Sequence, residues 1–328
     1  MKRIPLDLGG GGRLMREFIS GRILKSFANP YLKPLGDSAR LPGGWAMTTD
    51  SFVVDPLFFP GGDIGKLAVN GTVNDLVVSG AAPRYLSLGL IIEEGLEEET
   101  LDRVLDSVVR TARRAGVTVV TGDTKVVRHG QADRLYINTS GLGRVVGRPA
   151  PRRARPGDRI IITGPPGEHS IAVMTARGEF PIKSPARSDC APLNFLLPLW
   201  KKGALWMRDI TRGGLATILY ELAEVLPYPL VIEETRIHLS RSVLAASEIL
   251  GIDPLFLACE GTAVVLAPAA EADEFLRLIR RSPLGRKAAV IGKVAKTPGR
   301  AGELLLRTAA GGLRLLEPLT TELLPRIC

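Results

Sequence analysis

The chain has 328 residues, of which 45% are hydrophobic and 23% are charged. This length exceeds what one core of ordinary size organises, so we expect two domains, and the composition is typical of a globular protein rather than a disordered or fibrous one. No stretch approaches the roughly 20 apolar residues that cross a bilayer, and residues 1–5 lack the apolar core of a secretory signal. The sequence therefore predicts neither a membrane span nor export.

The formal net charge is +9, but aromatic residues make up only 5% of the chain, and the basic residues are scattered along it. Nucleic acid is therefore not expected as a partner, and anionic ligands or a solvated basic surface account for the charge. The three cysteines, Cys190, Cys259 and Cys328, are odd in number and irregularly spaced, which argues against a disulfide framework and against a zinc site. We expect a reducing, cytoplasmic location.

Strand-like and helix-like stretches alternate along the first 150 residues, which is the pattern of an α/β fold. Strands are predicted over 45–54, 84–92, 117–121 and 135–146, and helices over 63–79 and 97–115. The helix over 97–115 is the clearest, because its apolar residues recur at helical spacing, glutamates begin it and arginines lie towards its end. Gly116 then suits the left-handed position that ends a helix.

A second alternating unit follows a segment at 147–158 that is rich in proline and arginine. Its predicted strands cover 159–163, 230–233, 262–267 and 288–294, and its predicted helices cover 191–201, 214–225 and 270–280. We therefore expect an N-terminal glycine-containing segment over 1–36, a first domain over 37–150, a second domain over 151–318 and a mobile tail over 319–328.

Four aspartates stand beside glycine or small polar residues at the predicted ends of elements: Asp50, Asp75, Asp123 and Asp209. Mg²⁺ takes oxygen ligands and commonly joins phosphates to carboxylates, and neighbouring glycines allow a phosphate to approach the backbone. Any one of these aspartates could instead cap a helix or a turn. The four together favour a metal–nucleotide site.

The glycine run at 9–12 is a weaker signal. Consecutive backbone N–H groups can cradle a phosphate, but such a run can equally be a flexible entry segment. Its context fits neither the dinucleotide pattern G-x-G-x-x-G nor the Walker pattern G-x-x-x-x-G-K-[ST]. A nucleotide bound by this chain would therefore use another architecture.

Four longer motifs resemble one known family. They are TTDSFVVDPLFFPGGDIGK at 48–66, GDTKVV at 122–127, DITRGG at 209–214 and the terminal PRIC at 325–328. They are similar to the HypE carbamoyl dehydratases of [NiFe]-hydrogenase maturation, which belong to the PurM-like ATP-binding superfamily. The resemblance implies a two-domain α/β (α+β) fold and a homodimer whose N-terminal sheets pair, with ATP and Mg²⁺ near that interface.

The resemblance also implies partners and residue roles. The carbamoyl donor would be a HypF-type carbamoyltransferase, and a HypC–HypD complex would accept the cyanide. Cys328 would carry the carbamoyl group, and Lys125 and Glu260 would be the catalytic bases. The implied metal ligands are Asp50, Asp75 and Asp123. The implied nucleotide contacts are Gly10, Gly11, Asp37, Lys66, Asn70, Gly122, Asp123, Asp209, Thr211 and Gly213.

The implied reaction turns a thiocarbamate, S–C(=O)–NH₂, into a thiocyanate, S–C≡N. Oxide is a poor leaving group, so phosphorylation of the oxygen by ATP would let it leave as phosphate, and the two N–H protons call for positioned bases. Lys125 could be such a base or a clamp on phosphate, and Glu260 could be a base or a loop carboxylate paired with an arginine. The chain from Thr320 to Cys328 could span about 25–30 Å, enough to carry the terminal sulfur into a site.

Two other functions are compatible with parts of the pattern. Another PurM-like phosphoryl-transfer enzyme, such as one similar to selenophosphate synthetase, would not need the terminal Cys328. A non-catalytic assembly scaffold would bind acidic partners in a salt-sensitive way without consuming ATP.

Overall fold

The computed structural model describes residues 3–9, 12–178 and 184–317. The predicted mobile tail with Cys328, and the predicted phosphate contacts Gly10 and Gly11, lie outside the described residues. Within the described residues, no helix is both long enough and apolar enough to cross a bilayer.

The first half of the chain builds a five-stranded sheet with two helices on one side. In chain order its elements are α1 (Gly12–Phe18), α2 (Leu24–Ser26), β1 (Ala39–Leu41), β2 (Trp45–Phe52), β3 (Phe58–Phe59), β4 (Gly62–Asp63), α3 (Ile64–Val78), β5 (Ala81–Glu93), α4 (Glu98–Ala115), β6 (Thr118–Val127) and β7 (Leu135–Val145). The sheet order is β1-β2-β7-β5-β6, and β3 pairs with β4 separately. In this sheet β5 and β6 pair in parallel, with α4 as their crossover, and the other described pairs are antiparallel.

The second half builds a seven-stranded sheet. Its elements are β8 (Arg159–Ile162), α5 (Glu168–Arg177), α6 (Leu197–Lys201), β9 (Trp206–Asp209), α7 (Gly214–Val225), β10 (Leu230–Glu233), α8 (Arg241–Leu250), β11 (Ala263–Ala267), α9 (Ala272–Arg281), β12 (Ala289–Val294), β13 (Leu304–Arg307) and β14 (Leu313–Leu315). The order is β14-β13-β10-β12-β8-β11-β9, with β10 and β13 parallel. The predicted α/β class is confirmed.

Two differences from the predicted elements have clear physical reasons. Helix α5 has no predicted counterpart, because its first residues are buried on nearly every side and so show no helical alternation. Strand β6 continues past the predicted end at residue 121 to Val127. Gly122 looks like a turn residue, but a Cβ on it would lie 2.4 Å from the carbonyl oxygen of Leu88, so the glycine permits close approach of β5.

Helix α3 joins the two halves. All of its residues are buried except Lys66 and Asp75. Val73 and Val77 share one apolar cluster with Trp200 and with other residues of the second half. The Trp200 indole N–H also donates to the Val77 carbonyl oxygen at 2.8 Å. Because one core spans both sheets, the position of each sheet relative to the other is fixed by burial of apolar surface.

A methyl group at Gly147 tests this packing. Its Cβ would lie 2.5 Å from the Cβ of Trp200, so we expect Gly147→Ala to overpack the shared core and destabilise the protein by about 1–3 kcal/mol. Calorimetry should show a Tm lowered by several degrees. The control is Gly312→Ala, whose Cβ would meet its nearest neighbour at 3.5 Å and should leave the Tm unchanged. Equal Tm values for the two variants would contradict the packing described.

His169 at the start of α5 is held neutral by its surroundings. The side chain is fully buried, its Nδ1 lies 2.8 Å from Ser188 Oγ, and its ring meets Phe59 edge-on at 5.5 Å between centroids. Burial lowers the pKa of His169 to about 3. In the unfolded chain a histidine titrates near pH 6.5, so acid protonates the unfolded state first, and folding stability is lost as the pH falls below about 6.5.

Replacing this histidine should flatten the acid side of the stability profile. Between pH 7.5 and pH 5.5 we expect the wild-type chain to lose about 1 kcal/mol more unfolding free energy than His169→Gln, as measured by urea denaturation at both pH values. His238 is exposed, so His238→Gln should keep the wild-type slope. A wild-type slope in His169→Gln would show that this imidazole titrates normally.

Candidate active site

Three carboxylates from different elements converge between the two sheets. Asp75 is on α3, Asp209 ends β9, and Asp37 precedes β1. One carboxylate oxygen from each lies within 4.8 Å of the others. This all-oxygen donor set fits a hard divalent cation such as Mg²⁺. The sequence pattern groups Asp75 with Asp209, and the family resemblance predicts Asp37 as a nucleotide contact.

The cluster has little positive charge beside it. Arg208 Nε lies 2.9 Å from Asp37 Oδ1, and its Nη2 lies 3.7 Å from Glu221, so one arginine is shared between two acids. The Thr48 hydroxyl lies 2.8 Å from Asp75 Oδ2 and 2.7 Å from the Asp37 backbone oxygen. The described residues therefore leave net negative charge at this point, which a bound cation would neutralise.

The pKa values of these carboxyls reflect that imbalance. Burial, together with the charge of the nearby Asp37, raises the pKa of Asp209 to about 7. Burial also raises the pKa of Asp75 well above its usual range, and the charges of Asp209, Asp37 and Asp50 add to the effect. Carboxyls that repel one another in a dry site favour a proton or a metal ion over the bare charged state.

These acids line one large cavity of about 950 Å³, a volume typical of sites that hold a small organic ligand. Asp50 and Thr211 also face it, as predicted nucleotide or metal contacts. Burial raises the pKa of Asp50, and the guanidinium of Arg212 opposes that shift. The N-terminal helix α1 closes part of the cavity through Met15 and Arg16, and Arg16 pairs with Glu224 of α7.

Glu260 also faces this cavity, and its loop is held from behind by Asp189. The Asp189 carboxylate accepts the backbone N–H groups of Glu260 at 2.9 Å and Gly261 at 3.1 Å, and the hydroxyl of Thr262 at 2.8 Å. Asn74 Nδ2 donates to the Glu260 carbonyl oxygen at 3.2 Å. The sequence pattern does not single out Asp189, because it stands in no glycine-rich motif.

The environment of Glu260 favours proton acceptance. The residue is buried, and burial raises its pKa well above the usual range for a glutamate, with further contributions from Asp209 and Asp50. The positive charge of Arg212 opposes this shift and acts to lower the pKa of Glu260. A carboxylate in this setting is a stronger base than an exposed one.

Lys125 and Asp123 lie elsewhere in the single chain. They share one face of β6, where Lys125 Nζ lies 3.1 Å from Asp123 Oδ1, and their side chains are 68% and 70% exposed. Strand β6 is the edge of the sheet, separated from the Asp50 strand β2 by two strands, or about 14 Å. One chain therefore does not bring Asp123 to the other predicted metal ligands, or Lys125 to Glu260.

The remaining predicted contacts lie in three places. Gly213 precedes α7 with φ 79°, next to Thr211, and Gly122 lies on β6 beside Asp123. Lys66 and Asn70 face a second, smaller cavity rather than the acidic one.

The two described cysteines are not activated as nucleophiles. Cys190 and Cys259 are both buried and unpaired. Burial raises the pKa of both thiols well above the usual range, so neither forms the reactive thiolate readily.

Comparison with known protein families matches most of the chain. Residues 36–145 match the family "AIR synthase related protein, N-terminal domain", and residues 155–304 match "AIR synthase related protein, C-terminal domain". A crystal structure of thiamine monophosphate kinase from Aquifex aeolicus, 18% identical, aligns with a TM-score of 0.69, covering 94% of this chain and 99% of that one. At this identity the likeness shows a shared fold.

Similarity to individual proteins is closer. The chain is 45% identical to the carbamoyl dehydratase HypE of Rhodobacter capsulatus, covering 100% of this chain and 98% of the relative. It is 39% identical to the Escherichia coli K12 protein of the same name, with both chains fully covered. A crystal structure of hydrogenase maturation protein HypE in complex with ATP aligns with a TM-score of 0.82 and 45% identity, over 99% of this chain and 100% of that one. A chain of a crystal structure of a HypE–HypF complex aligns with a TM-score of 0.87 and 40% identity, over 92% of this chain and 99% of that one. With relatives this similar over their full lengths, the chain belongs to the HypE family of AIR synthase related proteins.

Proposed function

We propose that this chain is an ATP-dependent carbamoyl dehydratase that converts a carbamoyl group on the Cys328 sulfur into a thiocyanate, which supplies the cyanide ligand of [NiFe]-hydrogenase iron. The observation on which this proposal rests is the buried Glu260 beside the acidic cluster in one cavity. Full-length relatives that are named carbamoyl dehydratases support it.

The cavity suits the first half of the reaction. In that step the γ-phosphoryl group of ATP moves to the carbamoyl oxygen, and that oxygen later leaves as phosphate with its C–O bond broken. Asp37, Asp50, Asp75 and Asp209 would hold Mg²⁺, which would supply positive charge against the phosphate oxygens. Arg212 adds a fixed positive charge at the same wall.

Glu260 suits the second half of the reaction, in which protons leave the carbamoyl nitrogen. Two N–H protons must leave the carbamoyl nitrogen, one for each π bond of the nitrile that forms. A buried carboxylate whose pKa is raised accepts such a proton more readily than an exposed one, and Asp189 fixes the loop that presents it. Asp189 is therefore a positioning residue for Glu260.

A homodimer would explain how Asp123 and Lys125, which lie away from the acidic cavity in a single chain, take part in the reaction. Strand β6 is an edge strand whose side chains are nearly all exposed, and Val126 is 71% exposed. Such an edge is covered in stable proteins, and a second copy of the same sheet is a natural partner. In the proposed dimer, β6 of one copy brings Asp123 and Lys125 to the acidic cavity of the other, where they contact the phosphates.

The partners are proposed from the same relatives and from the motif resemblance. A HypE–HypF complex has been crystallised, so we propose a HypF-type carbamoyltransferase as donor to this chain. A HypC–HypD complex as cyanide acceptor is proposed from the motif resemblance. The two buried, unpaired thiols are stable in a reducing compartment, which supports a cytoplasmic location.

Mass spectrometry separates loading from dehydration. With carbamoyl donor and ATP, Cys328→Ala should show no mass gain, because the carrier sulfur is missing. Glu260→Gln and Lys125→Ala should gain the carbamoyl mass and then fail to lose water. Arg128→Ala, just beyond β6, is the control for Lys125→Ala and should lose water normally. Thiocyanate formation at the wild-type rate by Glu260→Gln would remove Glu260 from the chemistry.

Mixing variants tests the shared site. Asp75→Asn and Asp123→Asn should each be inactive alone, but subunit exchange between them creates dimers with one intact site, so the mixture should regain roughly a quarter of wild-type dehydration. The control mixes Asp75→Asn with Glu260→Gln. Both of those residues belong to the same chain's cavity, so no intact site can form and no activity should return. Absence of rescue in the first mixture, with exchange verified by native mass spectrometry, would refute a site shared between copies.

A further inference from the structure

The second, smaller cavity, of about 480 Å³, carries a net positive charge. Its charged lining residues are Lys66, Arg110, Arg114, Arg187 and one carboxylate, Asp63. The Asp63 carboxylate already accepts the Lys66 backbone N–H at 3.0 Å and the Ser107 hydroxyl at 2.6 Å. Four cations therefore face a space in which the one carboxylate of the described lining is engaged, and the cavity attracts an anion.

Helix geometry brings two of the arginines to one wall of this cavity. Side chains three and four residues apart share one face of a helix. The lining residues of α4 follow this spacing, and they are Ser107, Arg110, Thr111 and Arg114. Neither Arg114 nor Arg187 forms an ion pair with a carboxylate within the described part of the chain, and Arg110 has only a long contact of 3.9 Å with Asp106. Their guanidinium groups can therefore bind a ligand.

Lys66 adds a cation whose position is fixed by the loop before α3. Its Nζ donates to the Gly61 carbonyl oxygen at 2.7 Å. A lysine ammonium has three N–H donors, so two remain for a ligand. Each arginine offers planar pairs of N–H donors, which match the oxygens of a carboxylate or a phosphate. The lining therefore combines the two kinds of cation that proteins use to bind phosphoryl oxygens.

The floor of the cavity adds a requirement for a hydrogen-bond donor. Asn70 lines the cavity and is fully buried. Its Nδ2 donates to Cys190 Sγ at 3.4 Å, but its Oδ1 has no hydrogen-bond partner among the residues that the structure describes. A buried acceptor without a partner is costly, so a ligand that brings an O–H or N–H group to it is favoured. The lining therefore indicates an anion that also carries a hydrogen-bond donor.

Hydrogen phosphate has both properties. The ion HPO₄²⁻ is doubly charged and keeps one O–H group at neutral pH. Sulfate has the same shape and charge but no proton, and a phosphomonoester, whose second pKa is about 6, has lost its last proton above neutral pH. We propose that the second cavity is a binding site for inorganic hydrogen phosphate. The lysine and the arginines hold its charged oxygens, and its O–H group donates to Asn70 Oδ1.

This site is separate from the acidic cavity and goes beyond the proposed dehydration, although that reaction would release the same ion. The carboxylates of the acidic cavity repel an anion when no divalent cation is present. Phosphate binding measured without Mg²⁺, ATP or a carbamoyl donor therefore reports on the second cavity. It also tests the site independently of the proposed enzymatic activity.

The test is isothermal titration calorimetry of the full chain with sodium phosphate, at constant ionic strength and at about pH 8, where a phosphomonoester is fully ionised. We expect saturable binding of one phosphate per chain. Sulfate and methyl phosphate should bind about tenfold more weakly, because neither has a proton to donate to Asn70. Sulfate or methyl phosphate binding as tightly as phosphate, or no saturable binding of phosphate, would overturn the proposal.

Two variants test the lining residues. Arg114→Gln should weaken phosphate binding about tenfold, because a charge-assisted contact is lost. The matched control is Arg113→Gln, which removes the same charge from the same helical turn but lies outside the cavity lining and should bind phosphate like the wild type. Equal weakening in these two variants would overturn the proposal, because it would show attraction to the basic surface in general.

Asn70→Leu should lower the affinity for phosphate to that for sulfate and leave sulfate binding unchanged. A retained preference for phosphate in a folded Asn70→Leu chain, with folding checked by circular dichroism, would contradict the proposed contact. If this variant does not fold, the comparison of phosphate with sulfate on the wild-type chain decides the same question.

Discussion

The concentration of negative charge around Asp37, Asp75 and Asp209 is the constraint on which the rest of this structure depends. These carboxylates are contributed by both halves of the chain and meet only when the two sheets are docked. Burying acids that repel one another is unfavourable, so the apolar core around α3 must supply the free energy that holds them together. A bound cation would relieve this repulsion, so the unfavourable cluster supports the proposed metal–nucleotide site.

Helix α3 separates the two cavities, and it presents residues of opposite charge to them. Its two residues that are not buried are Lys66 and Asp75, which are nine positions apart. Nine residues of α-helix correspond to two and a half turns, so these side chains point in opposite directions. Lys66 faces the second, smaller cavity, and Asp75 faces the acidic cavity. The apolar residues between them, with Asn70 and Asn74, keep the two sites apart by one helix diameter.

The sequence was informative where local pattern and motif coincide. The alternation of elements predicted the fold class, and Asp75 and Asp209, which the motifs single out, do meet. The position of Asp123 was not predictable from spacing, because the strand order places β6 at the far edge of the sheet. The role of Asp189 was not predictable from the sequence. Its carboxylate holds the backbone of a loop some seventy residues further along the chain, and such long-range hydrogen bonds have no local sequence pattern. Helix α5 was not predicted for a different reason. Its buried residues follow one another without interruption, which removes the hydrophobic periodicity that indicates a helix.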